Sequence, residues 1–250
     1  LRDHLMSSKW WDFGRKQGGL FVFTPYTSKE GSTWFRGTAD SIYQNMTFLK
    51  RSNEDYVVIT SGDSIYKMDY KKVIREHVAK GADITVVYQK MAGKDLSKFG
   101  VMEMDAEGRL VGFEEKPEQP KSDAASLGIY VISRTLLINL LEQAIPEGRY
   151  DLVKDIIIRF IPTLKIYGYE YSGYWSAIGA GTAAYFATNM DFLNKEVRDH
   201  FVSEYPYIAT KPKDEPPAKF NRGASVKDTI TGSGSIFDGT VEHCVVFRKV

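Results

Sequence analysis

An aspartate behind an apolar run is the residue of this sequence best placed to do chemistry. Tyr56–Thr60 is a continuous apolar and β-branched run, typical of a strand buried on both faces of a parallel sheet, and Asp63 follows it behind a glycine. Ligands of such sheets bind beyond the carboxyl ends of the strands. A carboxylate there can hold Mg²⁺, which favours one or two carboxylates together with substrate phosphates. An aspartate that only caps its own turn explains the position equally well, so both interpretations stay open.

Three other short segments carry groups that suit a phosphate or a sugar. The proline after Lys116 favours an extended backbone at that lysine and gives its ammonium a defined direction, while the neighbouring Glu115 could orient a sugar hydroxyl. Ser126 leads into a predicted strand and could contact either group. The amides near Gly37 and Thr38 lead into a predicted helix, whose start favours an anion. Solvated charges and turn chemistry explain each segment alone as well, so no single motif decides.

Alternating strand and helix patterns predict an α/β fold around these residues. Tyr56–Tyr88 has the length of one βαβ unit, with Asp69 as the cap of a helix that buries Val73, Ile74 and Val78. The other predicted elements are a helix over Thr38–Leu49, a hairpin of Gly100–Met104 and Leu110–Phe113, strands at Ile129–Ile132 and Lys165–Tyr171, a helix at Arg134–Ala144, and a helix at Thr182–Asn194 with Ala183, Phe186, Ala187 and Met190 at helical spacing.

The sequence divides into an α/β domain, a proline-rich linker and a repetitive end, at residues 1–202, 203–220 and 221–250. In the last part apolar residues recur every six positions, at Ile230 and Ile236 and again at Val241 and Phe247. This period predicts coils of a hexapeptide β-helix, with an ordinary pair of short strands as the alternative. One or two coils are fewer than the three or so that a solenoid needs, so we expect the C-terminus to be cut short.

Composition excludes several classes of function. Lys and Arg total 33 against 32 Asp and Glu, and this near-neutral balance argues against a general nucleic-acid grip. No apolar run approaches the roughly 20 residues of a membrane span. Cys244 is the single cysteine, which favours a reducing cytoplasm and a small core residue rather than a nucleophile. The four histidines show no metal-ligand spacing.

Five motifs, taken in order, resemble the bacterial ADP-glucose pyrophosphorylase (glucose-1-phosphate adenylyltransferase) family. They are Trp34–Asp40, Ser61–Tyr70, Phe99–Met102, Phe113–Pro117 and Ser126–Tyr130. The resemblance covers almost the whole chain. It implies a Rossmann-like, GT-A-like nucleotidyltransferase domain followed by a left-handed hexapeptide β-helix, and assembly into tetramers. It also implies a reaction of ATP with glucose 1-phosphate that gives ADP-glucose and diphosphate for glycogen synthesis.

The resemblance further implies a set of site residues. Asp63 matches the catalytic aspartate that binds Mg²⁺. Glu115 and Lys116 match the pair that holds glucose and its 1-phosphate, and Ser126 matches a sugar-site serine. Gly37, Thr38 and Gly100 match backbone positions of the nucleotide and sugar sites. The chemistry is consistent with these groups, because displacement at the α-phosphorus of ATP needs charge neutralisation and positioning rather than a covalent protein nucleophile.

Three departures from the family pattern change the expectation. The glycine-rich Gly-Gly-x-Gly-x-Arg-Leu loop is missing, and we expect it upstream of Leu1, which would make this chain a fragment. The Trp-Arg-Asp-Val-Gly-Thr motif appears as Trp175–Ala180, with Ala177 at the position of the second metal-binding aspartate. The Asp-Phe-Gly-Lys-Asp motif appears as Asp151–Asp155 without its glycine.

Ala177 decides the functional prediction. Disturbing even the outer partners of a metal site costs about 10- to 100-fold, so the loss of a direct ligand predicts a weak or silent paralogue. Such a paralogue resembles the regulatory D-type subunit of Gram-positive glycogen synthesis, which assembles with the catalytic subunit in a heterotetramer and responds to sugar-phosphate effectors. Trp10–Gly14 also resembles that subclass. The fold is then expected to place Ala177 opposite Asp63.

Two other functions stay open. The first is a fully active nucleotidyltransferase in which Asp151 or Asp155 replaces the missing carboxylate; a UTP- or GTP-dependent variant is disfavoured by the motifs Gly37–Asp40 and Lys67–Tyr70. The second is an acyltransferase, suggested by the hexapeptide period alone. Such enzymes take a histidine from their coils, and here only His243 is available.

Overall fold

The computed structural model of this chain describes residues 2–5, 19–25, 34–211 and 213–250. They fall into two units. We call Val22–Gly62 with Asp69–Ser172 the sheet unit, and Leu1–Phe21, Asp63–Met68 and Gly173–Val250 the ribbon unit. Trp10–Gly14, the stretch that resembles the regulatory subclass, lies outside the described residues.

Six strands form the central sheet of the sheet unit. Numbered along the whole chain, they are β1 (Tyr56–Thr60), β3 (Ile84–Lys90), β4 (Gly100–Met104), β5 (Leu110–Glu115), β6 (Ala124–Ser133) and β7 (Ile166–Glu170). The order is β5-β4-β6-β3-β7, with β1 also paired to β6. Both β1 and β3 run antiparallel to β6, which lies between them. The predicted parallel sheet is therefore wrong in detail: β6 is long and almost wholly buried, so both of its edges need strand partners.

Helices cover the two faces of this sheet. They are α2 (Thr38–Tyr43), α3 (Met46–Arg51), α4 (Tyr70–Ala79) and α5 (Arg134–Ala144), with a π-helical segment at Val153–Ile158. Leu137 and Leu141 of α5 and Ile156 of the π-helical segment are fully buried in the main core, as predicted for α5. The predicted helix over Thr38–Leu49 is two short helices, because the chain turns at Gln44 and Asn45.

Helix α4 confirms its predicted cap and corrects its predicted face. The Asp69 carboxylate accepts a hydrogen bond from Lys71 N at 3.0 Å, as an N-cap does. Val73 is buried as predicted, but Val78 is 52% exposed, and the neighbouring His77 is buried instead, with 1% of its surface exposed. Nδ1 of His77 lies 2.9 Å from Oγ1 of Thr85 in β3. Hydropathy spacing missed this pair because the strand beneath the helix supplies the polar partner.

Acidification should destabilise the sheet unit through His77. Burial lowers the pKa of His77 and outweighs an upward pull from Asp83. The unfolded chain then binds the proton more readily, so this stabilisation is complete above the unfolded pKa of about 6.5 and is lost as the pH falls below it. Urea unfolding at pH 7.5 and pH 5.5 measures the difference. His77→Asn should reduce it, and an unchanged difference in His77→Asn would contradict the assignment.

The ribbon unit contains an antiparallel two-stranded ribbon, β2 (Ser64–Tyr66) with β8 (Trp175–Ala177). Its helices are α1 (Arg2–Leu5), α6 (Thr182–Asp191) and α7 (Lys195–Val202). The predicted apolar stripe of α6 is not buried: Phe186 is 65% exposed, and Thr188 is the buried residue of this helix. No helix of the described residues is long and apolar enough to cross a bilayer.

Two parallel ladders follow in the same unit. They are β9 (Lys219–Phe220) with β11 (Ile236–Phe237), and β10 (Ser225–Thr231) with β12 (Thr240–Val246). Partners lie 17 residues apart in the first ladder and 15 in the second. Phe220 and Phe237 stack with ring centroids 5.2 Å apart. These ladders do not confirm the predicted six-residue period, because Ile236 and Phe247 are each 57% exposed, and the β-helix stays a prediction.

Candidate active site

Three of the predicted sugar-phosphate residues lie in one row across the sheet unit. Gly100 opens β4 and pairs with Glu115 of β5. Val101 pairs with Ala125 of β6, so the same register carried one residue further places Gly100 beside Ser126. Residues far apart in sequence thus meet at one end of three neighbouring strands.

Gly100 lets the Glu115 carboxylate lie close over β4. A Cβ at this position would be 2.4 Å from the Phe113 ring and 3.3 Å from Glu115 Oε2. Any side chain would therefore displace the ring and the carboxylate. The glycine shapes the position of Glu115, whatever ligand this end of the sheet binds.

Lys116 leaves the sheet in a conformation that the sequence did not predict. Its φ is 52°, in the left-handed region, so the prediction of an extended backbone before Pro117 is wrong. Its amide still donates to Phe99 O at 3.0 Å, which turns the chain out of β5 at this residue. The ammonium lies 3.8 Å from Glu115 Oε1, on a side chain that is 64% exposed. Left-handed residues other than glycine are uncommon and cluster at functional sites.

Tyr130 lies four residues beyond Ser126 in β6, opposite Val86 and Ile59, and its phenol is hydrogen-bonded to Ser126. Burial raises the pKa of Tyr130 to about 12, against a hydrogen bond with Ser126, and the charges of Glu115 and Asp151 raise it further. The phenol therefore stays protonated and can donate a hydrogen bond. The sequence pattern gave no indication of a β-bulge in β6. This strand is irregular opposite Val87 and Tyr88, and the bulge changes the direction of its side chains.

The glycine of the predicted Gly37–Thr38 segment has a structural role. A Cβ on Gly37 would lie 2.3 Å from the carbonyl oxygen of Tyr150. That same oxygen accepts hydrogen bonds from Ala39 N at 2.9 Å and Asp40 N at 3.3 Å. Thr38 Oγ1 accepts from Leu152 N at 2.9 Å. Two amides at the start of α2 are thus already bonded within the protein, and ligand binding by this segment stays a prediction.

A buried carboxylate fixes the same segment from the other side. Asp40 is fully buried and accepts from Arg36 N at 2.8 Å, from Arg36 Nη2 at 3.0 Å and from Gln44 Nε2 at 2.8 Å. Burial raises the pKa of Asp40, but the hydrogen bonds from Arg36 and Gln44 outweigh it and leave the pKa lowered. The Arg36 guanidinium lies 4.0 Å from the centre of the Tyr150 ring. Asp40 is therefore ionised and holds the turn before α2.

Asp63 begins the ribbon, and Ala177 lies beside it. The Asp63 carbonyl accepts from Ile178 N at 2.9 Å and Gly179 N at 3.2 Å. Ser64, the next residue, pairs with Ala177. A Cβ on Gly179 would be only 2.3 Å from Asp63 Oδ2, so the carboxylate lies directly over that glycine. The structure pairs Ala177 with Ser64, the residue after Asp63, and the expectation that Ala177 faces Asp63 across a metal site stays a prediction.

The ribbon does not supply a second carboxylate for Mg²⁺. No group of three or more His, Cys, Asp or Glu suited to a metal occurs in the part of the chain that the structure describes. Ala177 carries a methyl group, which cannot ligate a cation. The residues present in the ribbon therefore do not fit a two-carboxylate site.

The two aspartates considered as replacements are bonded elsewhere, within the sheet unit. Asp151 Oδ1 accepts from Val153 N and from Lys154 N, both at 2.8 Å. Asp155 Oδ2 accepts from Asp151 N at 2.8 Å, and its Oδ1 lies 3.7 Å from Arg149 Nη1. Both side chains cap and stabilise the start of the π-helical segment.

Comparison with known proteins defines the class. Residues 5–195 match the sequence profile described as nucleotidyl transferase, and the chain belongs to this family. The mixed α/β sheet agrees with the Rossmann-like fold that was predicted.

Its similar relatives narrow the class. A glucose-1-phosphate adenylyltransferase of Bacillus cytotoxicus is 37% identical across 100% of this chain and 67% of the relative. Proteins of the same name from Geobacillus stearothermophilus and Thermosipho africanus are 37% and 35% identical, over 96% and 100% of this chain and 62% and 61% of their own lengths. The chain thus spans about two thirds of the relatives it matches or somewhat less. These findings confirm the predicted family; the regulatory role and the missing segments stay predictions.

Proposed function

We propose that this chain is a regulatory subunit of a glucose-1-phosphate adenylyltransferase, with weak or no catalysis of its own. The reaction of the assembly joins ATP and glucose 1-phosphate to give ADP-glucose and diphosphate. The observation that carries the proposal is Ala177 beside Asp63, where a carboxylate is needed for Mg²⁺. Loss of a metal ligand is expected to cost at least about 10- to 100-fold in activity.

The predicted sugar-phosphate residues of the sheet unit support binding without turnover. Glu115, Gly100 and Ser126 share one row, and the exposed ammonium of Lys116 stands next to it. A cation near hydrogen-bonding oxygens suits a sugar phosphate. The chain would therefore bind glucose 1-phosphate, or a sugar-phosphate effector, while lacking the metal ligand that the reaction needs.

Assembly is the second part of the proposal. The partner would be a catalytic paralogue in a heterotetramer in the cytoplasm, with Mg²⁺ held by that paralogue. The parallel ladders, with partners 15 and 17 residues apart, support the start of a left-handed β-helix over residues 221–250, after a linker at 203–220 and a nucleotidyltransferase domain at 1–202. His243, the residue on which acyl transfer would depend, is 65% exposed and forms an ion pair with Asp228, which does not favour that alternative.

An assay of ADP-glucose synthesis tests the proposal. The purified protein is assayed alone with ATP, glucose 1-phosphate and Mg²⁺, and again after mixing with the catalytic paralogue of the same source. We expect no turnover alone and a changed rate or substrate affinity in the mixture. Robust turnover by the protein on its own would establish the active alternative. An unchanged rate and substrate affinity of the paralogue in the mixture would rule out the regulatory role.

A pair of lysine variants separates sugar-phosphate binding from assembly. Lys116→Ala should still assemble but lose its effect on the paralogue at low glucose 1-phosphate. Lys121→Ala is the matched control, since that lysine is held by Glu114 at 3.2 Å and Glu103 at 3.7 Å. It should behave like the parent protein.

A further inference from the structure

The strand pair that carries Asp63 is too short to hold itself in place. β2 and β8 pair over three residues, and an isolated two-stranded ribbon is marginal in water. The elements of the same unit to which the ribbon is bonded therefore help to set the position of Asp63.

Thr188 of α6 bonds to the middle residue of β8. Oγ of Ser176 lies 2.6 Å from Oγ1 of Thr188, and the Thr188 hydroxyl donates to Ala184 O at 2.8 Å. Either hydroxyl can be the donor in the bond between Ser176 and Thr188. Thr188 is 4% exposed, and water cannot readily replace it as a partner. The bond therefore fixes β8 against the helix.

The adjacent tyrosine extends the same polar link. Tyr174 donates to Asp191 Oδ2, at the end of α6, at 2.7 Å. Burial raises the pKa of Tyr174 to about 12, and the bond to Asp191 raises it too, so this phenol stays protonated. The residues before and within β8 thus reach α6 at both Thr188 and Asp191.

Apolar packing accompanies these bonds, since the Tyr174 ring lies 6.5 Å from the ring of Phe192, the residue after α6. The apolar side of α6 opens on a cavity of about 340 Å³, which Phe186 and Met190 line together with Cys244 and Val245 of β12. Of the residues of α6, Thr188 is the buried one. The bond between Thr188 and Ser176 is therefore a buried polar contact of α6 with the ribbon that a single substitution can remove.

We propose that Thr188 is a positioning residue for Asp63. Its hydroxyl holds Ser176, which keeps β8 in register, and the two residues after β8, Ile178 and Gly179, bond the Asp63 carbonyl. The importance of this link for metal binding rests on the proposed function, because it takes Asp63 and position 177 as the metal-site pair. The positioning itself is independent of that assumption.

Amide hydrogen exchange tests the positioning in the otherwise unaltered protein. Thr188→Val removes the hydroxyl at nearly constant shape, and Thr188→Ser keeps it. In Thr188→Val we expect the amides of Ile178 and Gly179 to exchange about tenfold faster, the effect of one lost hydrogen bond, whereas Thr188→Ser resembles the parent. Amides of β3 in the sheet unit are the internal control. Unchanged exchange at Ile178 and Gly179, or an equal rise in β3, would overturn the proposal.

Manganese binding then tests whether the effect reaches the carboxylate. Mn²⁺ is titrated into Ala177→Asp protein and followed by electron paramagnetic resonance. Adding Thr188→Val should weaken Mn²⁺ binding about tenfold, and adding Thr188→Ser should not. Equal binding in all three would overturn the proposal. Failure of Ala177→Asp to bind Mn²⁺, with the exchange result as expected, would instead reject the metal role assigned to Asp63 and leave the positioning intact.

Discussion

Ala177→Asp should raise the rate of ADP-glucose synthesis by the purified protein at least about tenfold, since partners of a metal site contribute about 10- to 100-fold. The substitution adds a carboxylate at the residue that pairs with Ser64, next to Asp63. Two neighbouring carboxylates are the ligand set that Mg²⁺ takes with substrate phosphates. Initial rates with and without Mg²⁺ measure the gain.

A control with the same added charge makes this result specific. Ala180→Asp introduces a carboxylate three residues further on, at an exposed position. It should leave both the rate and Mn²⁺ binding unchanged. If Ala177→Asp raises Mn²⁺ binding but not the rate, a step other than metal binding limits catalysis. If neither quantity changes, position 177 is not part of a metal site.

Local signals in the sequence predicted an element well where a single residue determines where it begins or turns. Asp69 caps α4, and the hairpin of β4 and β5 turns at Gly108 with a φ of 77°. Local patterns failed where a partner distant in sequence decides. In α4, His77 is buried instead of Val78 because its ring lies next to Thr85 in a neighbouring strand. In α6, the apolar side chains stay exposed because they face the cavity beside β12.

The candidate site shows the same division. The sequence supplied the residue types at Glu115, Lys116 and Ser126, but their common row comes from strand register, which no local pattern contains. The left-handed backbone of Lys116 was unpredictable from the proline rule, because the amide bond to Phe99 O outweighs that preference. The hydrogen bond between Tyr130 and Ser126 was not predicted, because a bulge in β6 separates the two residues.

Gly37→Ala should reduce the free energy of unfolding by about 3 kcal/mol, at the upper end of the usual cost of overpacking. The new methyl group would lie 2.3 Å from Tyr150 O, a backbone atom that cannot rotate away. Any shift of that carbonyl weakens its bonds to Ala39 N and Asp40 N. Thermal unfolding measures the change, with an expected fall in Tm of roughly 10 °C. Gly62→Ala is the matched control, because nothing lies within 4 Å of a Cβ there.

The same variant distinguishes two reasons for a glycine at this position. The backbone of Gly37 is extended, with a φ of 178°, so the residue is not required by its conformation. Close approach remains the reason, and the approaching group is either Tyr150 or a ligand. Gly37→Ala protein with a lowered Tm would identify Tyr150 as that group. Protein with the parent Tm that no longer binds ATP or glucose 1-phosphate would identify a ligand instead, because a methyl group that the fold accommodates could only obstruct something outside it.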